Sequence, residues 1–299
     1  MDKRVLITGI RGFAGGYLSR HLTRQGYLVV GTSVHDGNAV DGAVDILKAD
    51  LRDMSQIKSV VDQVKPTHVV HLAAISNVTH EDVREIYETN IVGSRNLLRA
   101  LEGLSVAPEA VLMTSSANVY GNSYREVLSE TDELNPANDY GVSKVAMEYM
   151  ARTFASRLNL IIARPFNYTG RGQSNLFLIP KIVNHFKARA EFIELGNTDV
   201  ARDFSDVRSV VVYFQRLLET PAVIGGTYNI CSGIPYSLKG ILDMCAEISG
   251  HKLEVRIDKR LQRSQEVKIL AGNPARLHGV VGIVHEFPLM DTLTWMLKD

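Results

Sequence analysis

Cysteine is scarce in this 299-residue chain, which has 2, Cys231 and Cys245. They form no Cys-x-x-Cys pair, and two thiols cannot build the bridge framework of a small secreted domain. Two buried thiols in a reducing compartment are expected instead. Neither charge sign is in excess: Lys plus Arg and Asp plus Glu each number 33. That removes the electrostatic argument for nucleic acid or an anionic membrane as partner. No run of about 18 apolar residues occurs, so no membrane span is expected. Met1-Asp2-Lys3-Arg4 leads at once into a strand pattern and leaves no space for a signal peptide, which predicts a cytoplasmic protein. The 9 histidines stand in no ligand spacing with cysteine or acidic residues, so no metal site is expected. Internal repeats and low-complexity tracts are missing too.

What the chain does have is apolar content, 45% of its residues, enough for a large core. Short β-branched runs alternate with helical spacing. Strands are predicted over 4–8, 28–32, 44–49, 68–72, 110–114 and 160–164, the last stopped by Pro165. Helices are predicted over 13–25, 54–64, 82–101 and 140–158. Such alternation implies an α/β protein, a Rossmann-type doubly wound parallel sheet covered on both faces. After Pro165 the alternation loosens, with a helix near 180–189 and a strand near 192–195. Segments 206–218 and 226–230 return to the main sheet. Residues 231–299 show a helix at 237–249, a strand at 253–257 and a terminal helix. The expected division is a dinucleotide-binding domain of 1–165 plus about 204–230, and a smaller, discontinuous α/β substrate lobe of about 166–203 plus 231–299.

The turn after the first strand reads Gly9-Ile10-Arg11-Gly12-Phe13-Ala14-Gly15. Glycines let the backbone turn tightly and approach a pyrophosphate, which free N–H groups at the helix start then hold. The spacing is Gly-x-x-Gly-x-x-Gly, not the general Gly-x-Gly-x-x-Gly fingerprint. An acidic residue ending the second strand would bind the adenosine 2′-hydroxyl of NAD. Here that place reads Gly31-Thr32-Ser33, and Arg11 stands ready for a 2′-phosphate, so NADP(H) is preferred. Asp36 is close enough in sequence to keep NAD(H) possible. Asp50 and Leu51 are placed to contact adenine, and Leu72, Ala73 and Ala74 are small or apolar where the chain passes the cofactor.

Tyr140 and Lys144 stand four apart in Tyr-Gly-Val-Ser-Lys, one above the other on a helix face. An ammonium there is expected to favour the phenolate of Tyr140, and a phenol so poised can exchange a proton with a carbonyl or alcohol while a hydride moves at the adjacent carbon. Ser115 and Ser116 supply hydroxyls nearby in a neighbouring strand–turn. Asn90, a poor helix former, sits in the middle of the predicted 82–101 helix.

Together TGIRGFAG, DL at 50–51, LAA at 72–74, ETNIVGS around Asn90, SSANVYG at 115–121, YGVSK at 140–144, RPFN at 164–167, RDFSDV at 202–207 and RSQEVKILAG at 263–272 resemble one family. It is the extended short-chain dehydrogenase/reductases that modify nucleotide sugars. RPFNYTGRGQSN, LGNTDVARDFSDV and YNICSG are most similar to its GDP-sugar branch, the GDP-6-deoxy-4-keto-D-mannose reductases that form GDP-D-rhamnose and the upstream GDP-mannose 4,6-dehydratases. The resemblance implies a C4 ketoreductase acting on a GDP-4-keto-6-deoxyhexose. Ser116, Tyr140 and Lys144 would be catalytic. Gly9, Arg11, Gly12, Phe13, Gly15, Asp50, Leu51, Leu72, Ala73, Ala74 and Asn90 would hold or shape the cofactor site with Tyr140 and Lys144. Ser76, Ser116, Asn118, Asn167, Arg202, Arg263 and Glu266 would bind the substrate. A 4,6-dehydratase needs an extra base and acid at 117–118, and Ala117 and Asn118 transfer no proton. The reductases often carry Asp where Asn118 stands, which leaves the C4 outcome open. The other readings are a 4-epimerase or dehydratase-like enzyme that retains NAD(P), and a non-enzymatic NADP-sensing module. The family also pairs two long helices into a homodimer, and Met147, Tyr149, Met150 and Phe154 stand on one of them here.

Overall fold

A computed structural model describes residues 3–77, 80–123, 125–261 and 268–298. Seven strands lie in one sheet in the order Thr227–Ile230, Leu160–Pro165, Ala110–Thr114, His68–His71, Arg4–Thr8, Leu28–Ser33, Ala43–Lys48. Every neighbouring pair is parallel. The central strands are buried along almost their whole length, as a sheet covered on both faces requires. Helices Phe13–Arg24 and Val207–Glu219 bury Leu18, Leu22, Val210, Phe214 and Leu217 against Val5, Ile7 and Val29. On the other face, Met54–Val64, Ser94–Glu102 and Asp139–Arg152 bury Ile57, Leu97, Leu101 and Met147 against Leu6, Val69 and Val111. The chain starts mid-sheet, runs to one edge, then crosses back. The reversal lies between Arg4–Thr8 and His68–His71, and ligands of open α/β sheets bind outside the strand ends at such a point.

A smaller sheet runs Pro235–Ser237, Ala201–Asp206, Ile269–Gly272, Val127–Leu128, with Asn167–Thr169 paired to Ala201–Asp206. Beside it, helices Leu178–Lys187, Leu238–Ser249 and Leu289–Leu297 enclose Ile182, Phe186, Ile241 and Leu293. Among the described residues no helix is long and apolar enough to cross a membrane. Both cysteines are buried and free.

Two predicted helices differ in form. The expected 82–101 helix is a short helix, Val83–Tyr87, a π-turn, Glu88–Gly93, and a second helix, Ser94–Glu102. One extra residue per turn brings fully buried Asn90 inward, and such bulges recur at functional sites. The expected 140–158 helix ends at Arg152. Thr153 Oγ1 donates to the Met150 carbonyl, and i→i+3 bonds from Phe154 and Ala155 tighten the last turn. The short strands at 127–128, 167–169, 201–206, 235–237 and 269–272 and the helix Ala275–Val281 were not expected from the sequence.

Candidate active site

The glycine turn meets the fourth strand's exit. Gly9 has φ +69°, and a Cβ there would lie 2.8 Å from Ala73 Cα. A Cβ on Gly15 would lie 2.5 Å from the Ile10 carbonyl oxygen. Gly12 begins the Phe13–Arg24 helix with no side-chain cap, and no acidic residue occupies the first turn. That leaves the positive end of a helix bare at a cradle only glycine can form, which fits a dinucleotide pyrophosphate. Arg11 reaches over this turn; its guanidinium donates to the Gly37 carbonyl at 2.9 Å and to the Asn38 carbonyl, and its buried Nε has no partner. It thus stands next to the residues that follow the second strand. Asp36, further along that loop, is exposed and paired with Lys48 at 2.6 Å.

Other expected cofactor positions divide. Leu72, Ala73 and Ala74 line the exit of the fourth strand, half-buried, and Ala73 N donates to Thr8 Oγ1 at 3.3 Å. Asp50 is forked by Arg52 at 2.7–3.0 Å, and Leu51 is buried under Gly93. Asn90 spends its amide on Ile75, accepting from its N at 2.9 Å and donating to its O at 3.1 Å, and on Ser143 Oγ at 3.0 Å. It shapes the wall behind the helix that carries Tyr140 and Lys144 from a fully buried position.

Asn138 caps that helix by accepting from Gly141 N at 2.8 Å, which starts Asp139–Arg152 just before Tyr140. Lys144 Nζ donates to the Thr114 carbonyl at 2.8 Å and lies 5.9 Å from the centre of the Tyr140 ring. Burial pushes the Lys144 ammonium down to about 8, against the opposing field of Glu148. The expectation that Lys144 acidifies Tyr140 needs correcting. Burial pushes the phenol up to about 12, and the opposing influence is a hydrogen bond with Ser116. The ammonium is directed at a backbone oxygen, and desolvation outweighs what it offers the ring. Ser116 Oγ accepts from Asn118 N and Nδ2, each at 3.1 Å. Those bonds fill its lone pairs and leave its proton for Tyr140.

Behind Lys144 lies His71, fully buried and held neutral, its pKa pushed to about 3 by desolvation and the nearby ammonium. Ser94 Oγ donates to the Asn90 carbonyl at 2.6 Å, so it accepts from His71 Nε2 at 2.8 Å. His71 Nδ1 then accepts from Thr8 Oγ1 at 2.7 Å. One tautomer satisfies every partner.

Of the expected substrate residues, Ser116 and Asn118 adjoin Tyr140, and Ser76 is exposed after the LAA turn. Asn167 sits opposite Phe204 and donates to the Asp203 carbonyl at 3.2 Å. Arg202 donates to the carbonyls of Ala201 and Lys268 at 2.9 and 3.1 Å. Arg263 and Glu266 lie outside the described residues. Tyr168 was missed. Its ring stacks on Phe13 at 6.0 Å and 11°, and a Tyr140 phenolate would raise its pKa further above the burial-shifted value. Its proximity to Tyr140 joins residues 28 positions apart, and short-range pattern carries no sign of that. Among the described residues no group of three or more His, Cys, Asp and Glu is placed to hold a metal.

A doubly wound sheet with a bare glycine turn at its switch point is the architecture of a dinucleotide-dependent oxidoreductase. The chain belongs to the GDP-mannose 4,6 dehydratase family, whose model matches residues 6–294, among the short-chain dehydrogenase/reductases of nucleotide-sugar and deoxysugar metabolism. It is 33% identical to GDP-6-deoxy-D-talose 4-dehydrogenase of Aggregatibacter actinomycetemcomitans, over 95% of this chain and 93% of that one. It is 30% identical to GDP-6-deoxy-D-mannose reductase of Pseudomonas aeruginosa, over 100% of this chain and 97% of that one. A solved structure from Burkholderia cenocepacia J2315, provisionally named an epimerase, has TM-score 0.93 and 46% identity, covering 99% of this chain and 97% of that one. RMD from Pseudomonas aeruginosa complexed with NADPH has TM-score 0.85 and 28% identity, with 99% and 97% covered.

Proposed function

We propose that this protein reduces the C4 ketone of a GDP-4-keto-6-deoxyhexose, using NADPH in preference to NADH. The observation that carries the reading is the meeting of Tyr140, Ser116 and Lys144 at the strand exits, with Ala117 and Asn118 where a dehydratase needs a base and an acid. A reduced nicotinamide, when bound, supplies the hydride. Tyr140, protonated across the physiological range, gives its proton to the C4 oxygen as charge develops there. Ser116 would turn its one proton from Tyr140 to that oxygen to steady it, and Lys144 would hold the ribose beside it. Gly9, Gly12 and Gly15 admit the pyrophosphate, Phe13 borders it, and Arg11 faces the 2′-phosphate. Asn167, Ser76 and Arg202, with Arg263 and Glu266, take the GDP-sugar. The two lobes divide near 1–165 plus about 204–230 and about 166–203 plus 231–299, with the exceptions that Val127–Leu128 and the end of Ala201–Asp206 join the smaller sheet and Leu277 packs into the main core.

The named relatives support a C4 redox step on a GDP-6-deoxyhexose, in two configurations. Rhamnose and 6-deoxytalose differ only at C4, so the face of hydride delivery decides between them. The test supplies GDP-4-keto-6-deoxy-D-mannose and NADPH, follows loss of reduced-nicotinamide absorbance, and identifies the product by NMR. Turnover unchanged in Tyr140→Phe, with fold intact, would refute the assignment; a 10²- to 10⁴-fold fall is expected. The 4-epimerase reading draws on the name given to the Burkholderia structure. It requires tightly retained NAD, which denaturing the purified protein would release.

A homodimer through the 83–102 and 139–152 helices is part of the proposal. Met147 and Phe154 pack inward against the sheet, whereas Val92, Val142 and Tyr149 are exposed, the last at 60%. Light scattering that gives only monomer would remove it.

A further inference from the structure

The Asp139–Arg152 helix carries Tyr140, Lys144 and Glu148 one turn apart on a single face. The reading above uses the first two and leaves Glu148 without a part. Glu148 is fully buried, and a carboxylate so placed is costly unless paired and hydrogen-bonded. Arg164, 2% exposed, forks it through Nε to Oε1 at 2.8 Å and Nη2 to Oε2 at 2.7 Å. Ser115 Oγ donates to Oε1 at 2.5 Å, and Arg152 Nη2 stands 3.5 Å from Oε2. Arg164 Nη1 continues to the Tyr120 hydroxyl at 2.9 Å and the Glu130 carbonyl at 3.2 Å. Tyr120 donates to Asn229 at 2.7 Å.

Three members of this network adjoin site residues. Ser115 precedes Ser116, Tyr120 closes the turn that Ser116 opens, and Arg164 starts the segment leading to Asn167. The groups facing Lys144 are the Thr114 carbonyl, neutral His71 on its strand, neutral Tyr140, and Glu148. Glu148 is the anion among them.

We propose that Glu148, fixed by Arg164 and Ser115, is a positioning residue that keeps Lys144 an ammonium and Ser116 in line with Tyr140. The proposal rests on the reading that these three residues form the reacting site. Burial alone drives Lys144 downward, and Glu148 opposes it. Without that field the lysine loses its proton at lower pH.

The test is Glu148→Gln, similar in shape but uncharged. The alkaline limb of kcat/KM is expected to move toward acid by about 1 pH unit, with activity recovering below it. A uniform loss with an unmoved limb would overturn the proposal. If the single variant leaves Arg164 unpaired and does not fold, the pair Glu148→Gln with Arg164→Met removes both charges. A smaller displacement in the same direction is expected there, because the Arg164 charge that opposed Glu148 has gone with it, and its absence is equally fatal. A second readout needs no sugar. The pH at which Lys144 titrates follows from melting temperatures with and without Lys144→Met, measured in the wild-type and Glu148→Gln backgrounds. A protein inactive on the GDP-sugar but showing the displacement would sink the functional reading and keep Glu148. Coincident titrations would sink the Glu148 proposal and leave the functional reading to the GDP-sugar assay.

Discussion

Replacing Lys144 by Met should make the protein more stable and nearly inactive. Lys144 falls from its ordinary 10.5 to about 8 because its ammonium is buried. At about 1.4 kcal/mol per pH unit, holding that charge costs the folded state roughly 3 kcal/mol at pH 7. Methionine follows the same unbranched path without the charge. Its one loss is the bond to the Thr114 carbonyl, about 1 kcal/mol. The net gain is about 2 kcal/mol, or roughly 4 °C for a chain of this size. The sign with pH is fixed by linkage. A depressed folded pKa favours the fold above the unfolded value, and that contribution is lost as pH falls through the folded one. The advantage of Lys144→Met is therefore largest below pH 8 and closes between about 8 and 10.5. Calorimetric scans at pH 7 and at pH 10 measure it. A variant less stable than wild type at pH 7, or a gap indifferent to pH, would show that Lys144 is not held as a strained cation.

Gly9→Ala places a Cβ at φ +69° and 2.8 Å from the Ala73 backbone. It should cost about 2 kcal/mol or more in stability, by chemical denaturation, and weaken dinucleotide binding at least roughly tenfold by fluorescence titration. Wild-type values in both would show that the two turns do not constrain each other. Arg11→Ala should raise the KM for NADPH by roughly tenfold or more and leave that for NADH unchanged, since a charge-assisted pair is lost with one cofactor only. Equal effects on both would remove Arg11 from the 2′-phosphate. Asn118→Ala takes one of two donors from Ser116 and should lower kcat about fivefold with little change in KM, measured on the 4-keto sugar.

The sheet and its helices were legible because the Arg4–Thr8 and Ala110–Thr114 runs have apolar interiors and the helices between them keep one apolar face. The small sheet was not. Strands of two or three residues such as Val127–Leu128 and Asn167–Thr169 are too short to show alternation, and they exist because distant partners meet them. Asn90 stood out as a poor helix former, but its π-turn follows from bonds to Ile75 and Ser143 made in space. At the site, Tyr140 and Lys144 were found by their spacing. The same spacing continues one turn to Glu148, and reading on would have raised the question of its partner, though not that the partner is Arg164. Acidification of Tyr140 was misjudged because helix spacing gives proximity without burial, and burial is the larger effect here.

That misjudgement bears on the direction of the chemistry. A phenol near 12 holds its proton throughout the working range and is ready to donate, as a reduction requires. Oxidation would demand a phenolate, which a nearby positive charge or further hydrogen-bond donors would have to stabilise. Ser116 cannot supply that alone, because it has one proton to offer. Lys144 could, but its Nζ is directed to Thr114 and its own charge is sustained against burial by Glu148. The face that carries Tyr140 is thus a descending chain of dependence, in which Glu148 supports Lys144 and Ser116 moderates Tyr140. Asn118 directs the Ser116 proton from the other side by occupying both its lone pairs. The phenol therefore rests in the protonated form, from which a proton passes to a nascent alkoxide. The reductase reading starts from that form, and the epimerase reading must pass through both forms within one cycle.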